Sequence, residues 1–239
     1  MKRILLSLAV LISAIALHAK TLVVYYSYTN NVHSIITELT KQIDADVVRI
    51  EPAEKGLDYA ANNYAIGSAQ ISAIRNNPDE ASSYPAIDPV NVNLAEYDCV
   101  IIGAPLWWSN MAAPLQTYLF QNGKAMAGKK IELIVSSASS GISGVEGDAK
   151  RLIPDGDFLS PSLWIRSSQT SNAASLISEW LKTTGYDTMT GVEEIQAAQN
   201  NGRYSVFSIS GTMVAEDALS MQTLEKGLYI VNGKKVYIK

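Results

Sequence analysis

Apolar residues along the chain follow two rhythms. Short apolar runs, Leu22 to Tyr26, Cys99 to Ile102 and, broken only by Glu132, Ile131 to Val135, alternate with stretches where apolar side chains recur every three or four positions, as at Ile35, Ile36, Leu39 and Ile43. The first rhythm marks strands buried on both faces, the second helices with one buried stripe. Val47, Val48 and Ile50, then Leu163 to Ile165, supply two shorter strands. Leu115, Leu119 and Phe120, then Val145, Ala149 and Leu152, then Ala173 to Leu181 supply helices. Five strands alternating with four or five helices predict an α/β fold, a doubly wound five-stranded parallel sheet covered on both sides. Ligands of such folds bind beyond the carboxyl ends of the strands, near the point where the strand order reverses. Three loops occupy those ends: SYTNNVH, APLWWSNMAAP and SSASSGISG.

Around this predicted domain, 20–185, lie segments of different character. Residues 1–19 carry Lys2 and Arg3, an apolar stretch from Ile4 to Leu17, and His18-Ala19, the layout of a secretory signal peptide rather than a membrane span. Lys2-Arg3 is not a twin arginine, so export in the unfolded state is expected, with any cofactor acquired outside the cytoplasm. The segment from Pro52 to Val92 exceeds a normal connection and is either an excursion over the site or a surface decoration. Residues 186–201 read as a linker. From 202 to 239, alternating runs broken by Ser210-Gly211 and Asn232-Gly233 predict a small β module, Asn-Gly being a strong hairpin signal.

With 47% hydrophobic and 18% charged residues, the chain can bury a real core. The formal charge of −4 falls to −6 once Lys2 and Arg3 leave with the leader, an acidic balance that argues against nucleic acid as a partner. No stable membrane insertion is expected after leader cleavage. Cys99 is the only cysteine, so no internal disulfide forms. In its apolar run it reads as a small hydrophobe, because such a setting raises a thiol pKa and quenches its nucleophilicity.

Each of the three loops offers chemistry. The first links a buried strand to a helix start, where backbone N–H groups and the helix dipole can hold a phosphate, but it lacks glycine. In the second, Trp107 and Trp108 cannot both point into the core, so at least one faces a flat ligand; otherwise Trp107 packs under the loop and Trp108 covers the helix start at Ala112. The third has four serines before Gly141 and amides beside Gly141 and Gly144 able to approach a ring edge, or is simply a solvated loop.

LVVYYSYTNN, YDCVIIGAPLWW and SSASSGISG, in this order, resemble the flavodoxin-like proteins, specifically the branch with a double tryptophan in the second loop. The resemblance spans about Thr21 to Leu181 and implies non-covalent binding of flavin mononucleotide (FMN). It places the phosphate on Ser27, Thr29, Asn30, Asn31 and Val32. Pro105, Leu106, Trp107 and Trp108 would line one side of the flavin ring, and Ser137, Ser139, Ser140 and Gly141 would face its edge. The family usually has glycine where Asn30 stands and a hydroxyl residue where Val32 stands. Asparagine tolerates the left-handed backbone that the turn needs. Losing a hydroxyl donor to a charged group, worth about 1.5–3 kcal/mol, would weaken binding by roughly one to two decades. His33 either adds positive charge near the phosphate or faces solvent.

The third loop lacks the aromatic that electron-carrier flavodoxins often stack on the second ring face. Unless Tyr59 or Tyr64 supplies it, that face is open to a quinone or nicotinamide. Three functions follow: an exported FMN-binding electron carrier, an NAD(P)H-dependent quinone reductase, or a cofactor-free binding module. The tail, YSVFSISGTMV and KGLYIVNGKKVYIK, resembles the C-terminal sorting domains of bacterial type IX secretion, the alternative being an ordinary β appendage.

Overall fold

The computed structural model describes residues 20–186, 192–193, 204–209, 211–218, 224–231 and 234–238. The leader and the Asn232-Gly233 turn lie outside them. Strands β1 (Thr21–Tyr25), β2 (Asp46–Arg49), β3 (Cys99–Trp107), β5 (Lys130–Ser137) and β7 (Leu163–Arg166) pair in parallel in the order β2-β1-β3-β5-β7. A short β4 (Asn110–Met111) folds back on β3, and β6 (Asp157–Phe158) pairs with the beginning of β5. The chain leaves β1 for β2 on one side and returns to β3 on the other, so the order reverses between β1 and β3.

Alternate residues of each strand feed opposite layers. Val23, Ile101, Ile134 and Ile165 pack under α1 (Asn31–Leu39) and α5 (Ala173–Thr184). Leu22, Val24, Val100, Ile102 and Val135 meet α2 (Ala61–Asn76), α3 (Ala113–Asn122) and α4 (Ser143–Leu152). The predicted α/β sheet is therefore present, with one difference. Edge strand β2 is largely exposed, Val47 to 44%, because burial is complete only for strands with a neighbour on each side.

The C-terminal strands form a separate sheet in the order β10-β9-β11-β12-β8: β8 (Val192–Glu193), β9 (Tyr204–Ser208), β10 (Met213–Ala218), β11 (Gly227–Val231) and β12 (Lys234–Ile238). Its buried centre is Val206, Val231 and Val236. Two residues read as linker, Val192 and Glu193, thus pair with β12 as a strand. Tyr186, also read as linker, is buried in the first domain, its hydroxyl 2.7 Å from Thr21 Oγ1.

Cys99 is fully buried, and burial pushes its thiol far up, as its apolar run implied. On the adjacent strand β5, Glu132 is 1% exposed, and neither carboxyl oxygen has a hydrogen-bond partner among the described residues. The nearby Thr184 hydroxyl donates instead to Leu181 O at 3.4 Å. Burial pushes the Glu132 carboxyl from its ordinary 4.5 up to about 7, Thr184 offsetting this only in part. The folded state binds this proton more tightly than the unfolded chain, so its stabilising contribution is full below pH 4.5 and is lost as pH rises through about 7. Glu132→Gln is expected to raise stability at pH 8 by up to about 3 kcal/mol and to flatten the pH dependence, read from denaturant unfolding between pH 5 and about 9.

Candidate functional site

In the first loop the chain leaves β1 and enters α1 through Asn30, whose φ of 62° is left-handed, so asparagine does supply the turn that glycine usually makes. The first intrahelical bond runs from Ser34 N to Asn30 O (2.9 Å), and His33 N donates to Ser27 Oγ (3.2 Å). The amides of Asn31 and Val32 thus remain outside the helix's own bonding, at its positive end. Ser27 is 3% exposed, and its oxygen already accepts from His33, so its hydrogen is available to an acceptor. Arg49 Nη2 braces the loop from β2 by donating to Ser27 O at 3.0 Å. Val32 turns its side chain into the core beside Gly103 and offers only its amide. His33 is exposed, with Nδ1 2.7 Å from the Tyr25 hydroxyl, and does not line the cavity.

In the second loop β3 overshoots the sheet and reverses at Trp108 and Ser109, both left-handed (φ 45° and 64°). The reversal is held from α4. Asp148 accepts from Asn110 Nδ2 (3.0 Å) and Met111 N (2.9 Å), and Arg151 bonds Asp148 and Gln116. A Cβ on Gly144 would stand 1.8 Å from Ser109 O, so this glycine serves the packing of α4 on the hairpin rather than approach to a ligand. Trp107 is wedged between Tyr26 (centroids 5.6 Å apart) and Tyr59 (4.8 Å). Trp108 rests on Gly67 of α2 and stays 43% exposed.

The third loop is braced from within. Ser137 Oγ donates to Ser140 O and accepts from Trp164 Nε1, both at 2.8 Å, so its hydroxyl braces the loop and is not available to a ring edge. Ser139, Ser140 and Gly141 are exposed and do not line the cavity; Ser136, Ala138 and Ser167 do. Asn30 shapes the first loop without lining the cavity, whereas Ser27, Thr29, Asn31, Val32, Pro105, Leu106, Trp107, Trp108 and Ser137 all line it.

The long β2–β3 connection is an excursion over the site, contributing Tyr59, Ala60, Tyr64 and Gly67 to the wall. Tyr28, missed in the sequence although it lies inside the first loop, anchors this excursion. Its hydroxyl donates to Asp58 Oδ1 (3.0 Å) and accepts from Ala60 N (3.1 Å). Burial raises the phenols of Tyr26 and Tyr59, keeping both neutral. Gly67 had no local signal, since only its tertiary neighbours require it.

Together these segments enclose a cavity of about 760 Å³ at the carboxyl ends of β1, β3 and β5. One end is hydroxyls and helix-terminal amides, the other aromatic, and none of its described lining residues is charged. The volume suits a cofactor. The sequence pattern that defines flavodoxins matches residues 20–184. The chain belongs to the flavodoxin family. Among solved structures, a protein from Bacteroides eggerthii assigned as a flavoprotein is 24% identical, with a TM-score of 0.56, over 70% of this flavodoxin and 98% of its own chain. A flavoprotein from Lactobacillus acidophilus, solved in complex with FMN, is 21% identical, with a TM-score of 0.51, over 66% and 99% respectively. At these identities the likeness establishes the fold. Among the described residues of this flavodoxin no helix is long and apolar enough to cross a membrane, and no cluster of His, Cys, Asp or Glu could hold a metal.

Because Asp148 holds the hairpin that carries both tryptophans, Asp148→Ala is expected to lower stability by about 2–3 kcal/mol by stranding buried donors. Tryptophan emission should shift to the red, measured beside denaturant unfolding.

Proposed function

We propose that this protein is an exported flavodoxin that holds FMN non-covalently and carries electrons between partners. The observation that carries the reading is the cavity with two unlike ends, an uncharged anion-binding loop at a helix N-terminus and an aromatic wall, at the reversal point of the sheet. Ser27 Oγ–H and the amides of Asn31 and Val32 hold the phosphate, with Thr29 beside them. Trp108, backed by Trp107, holds the flavin with Pro105 and Leu106. FMN supplies the redox chemistry once bound, and the protein fixes its position and excludes water. The Lactobacillus acidophilus flavoprotein, which shares the fold and was solved with FMN, supports this cofactor.

A carrier is favoured over a nicotinamide-dependent quinone reductase because Tyr64 adds to the cavity wall an aromatic ring that the third loop lacks. The leader and the likeness of the tail to type IX sorting domains support export, with the tail as its address.

The chain purified from residue 20 onward is expected to quench FMN fluorescence saturably at micromolar ligand, and Ser27→Ala should weaken binding by about one to two decades. Reduced nicotinamide with a quinone should give no turnover. No binding at hundreds of micromolar FMN would overturn the reading, and turnover would replace the carrier with a reductase.

A further inference from the structure

The described part of the flavodoxin domain leaves three large apolar side chains exposed: Val47 on the sheet edge, Tyr64 at 52% and Trp108 at 43%. The last two line the same cavity. Their ring centroids lie 6.5 Å apart with planes at 75°, so the two rings form a corner. The other aromatics of the wall are committed to one another: Trp107 meets Tyr26 and Tyr59, and Tyr59 also meets Tyr28 at 5.4 Å. Trp108 and Tyr64 therefore hold the open ring faces.

The backbone beneath them is unusual. Tyr64 ends a run of three left-handed residues, Asn62 (φ 49°), Asn63 (56°) and Tyr64 (62°), and Trp108 and Ser109 are left-handed across the corner. For a bulky side chain this conformation is costly, and burial repays it only in part here, because both side chains stay about half exposed. Gly67 lets the halves meet. A Cβ there would lie 3.0 and 3.2 Å from Trp108 ring carbons.

We infer that Tyr64 and Trp108 form a preset aromatic corner that grips the flavin ring, with Gly67 as the positioning residue that lets it form. The inference rests on the FMN reading above. A planar ring lying flat on one of the two meets the other by its edge, so stacking and edge-to-face contact are made together. Tyr64 thereby becomes a cofactor-binding residue contributed by the β2–β3 connection. The strain is retained because glycine, which would relieve it, has no ring.

That trade gives the test its sign. Tyr64→Gly should melt no lower than the parent yet weaken FMN binding at least tenfold, while Tyr64→Phe, which keeps the ring, should stay within about threefold. In the free protein Gly67→Leu should expose Trp108 and raise acrylamide quenching of tryptophan fluorescence. Parent binding with unchanged affinity in Tyr64→Gly would overturn the corner and leave the FMN reading standing. A parent that does not bind FMN would overturn both. A Tyr64→Gly protein that melts lower would overturn the claim of retained strain.

Discussion

The cavity depends on backbone that L-residues ordinarily avoid. Among the described residues, the six non-glycine positions with positive φ are Asn30, Asn62, Asn63, Tyr64, Trp108 and Ser109. All six lie in the three segments that frame the site. Each left-handed residue costs about 1–2 kcal/mol, less for asparagine, and such strain persists only where surrounding structure over-determines it. Here the surroundings do so: His33 N on Ser27 fixes the first turn, Asp148 the hairpin, and Tyr28 with Asp58 the start of the excursion.

Close backbone approach makes these restraints possible. At Gly103 a Cβ would stand 2.8 Å from Tyr25 Cβ and 3.2 Å from Val32, so α1 can lie low against β3 and present its first amides at the strand ends. At Gly144, α4 presses on the reversal of the Trp107–Trp108 hairpin. The result is a cavity one end of which carries helix-terminal amides and hydroxyls and no charged side chain among its described lining. The other end carries aromatic rings that the sheet alone could not present.

Much of this was legible in the sequence, and for physical reasons. Continuous apolar runs separated by helical spacing admit little besides a covered parallel sheet, and that fold places three loops together. Asn30 could be read as a left-handed turn because few side chains tolerate that backbone. The hydroxyl directions in the third loop were not legible, because serine-rich composition does not show where each one points: Ser137 bonds Trp164 and Ser140, while Ser139, Ser140 and Gly141 are exposed. Gly67 and Gly144 were invisible or misassigned because their neighbours, Trp108 and Ser109, are about forty residues away in sequence and meet them only in the fold. The exposed β2 edge and the pairing of Val192–Glu193 are likewise consequences of tertiary position, not of local pattern.

The central claim is that the loop from Ser27 to Val32 holds a phosphate without help from a charged side chain lining the site. Isothermal titration of the chain from residue 20 onward with FMN and with riboflavin, which lacks only the phosphate, tests it most directly. The account predicts FMN binding at least about tenfold tighter than riboflavin, since even one charge-assisted hydrogen bond is worth about 1.5–3 kcal/mol. Equal affinity for the two would contradict it.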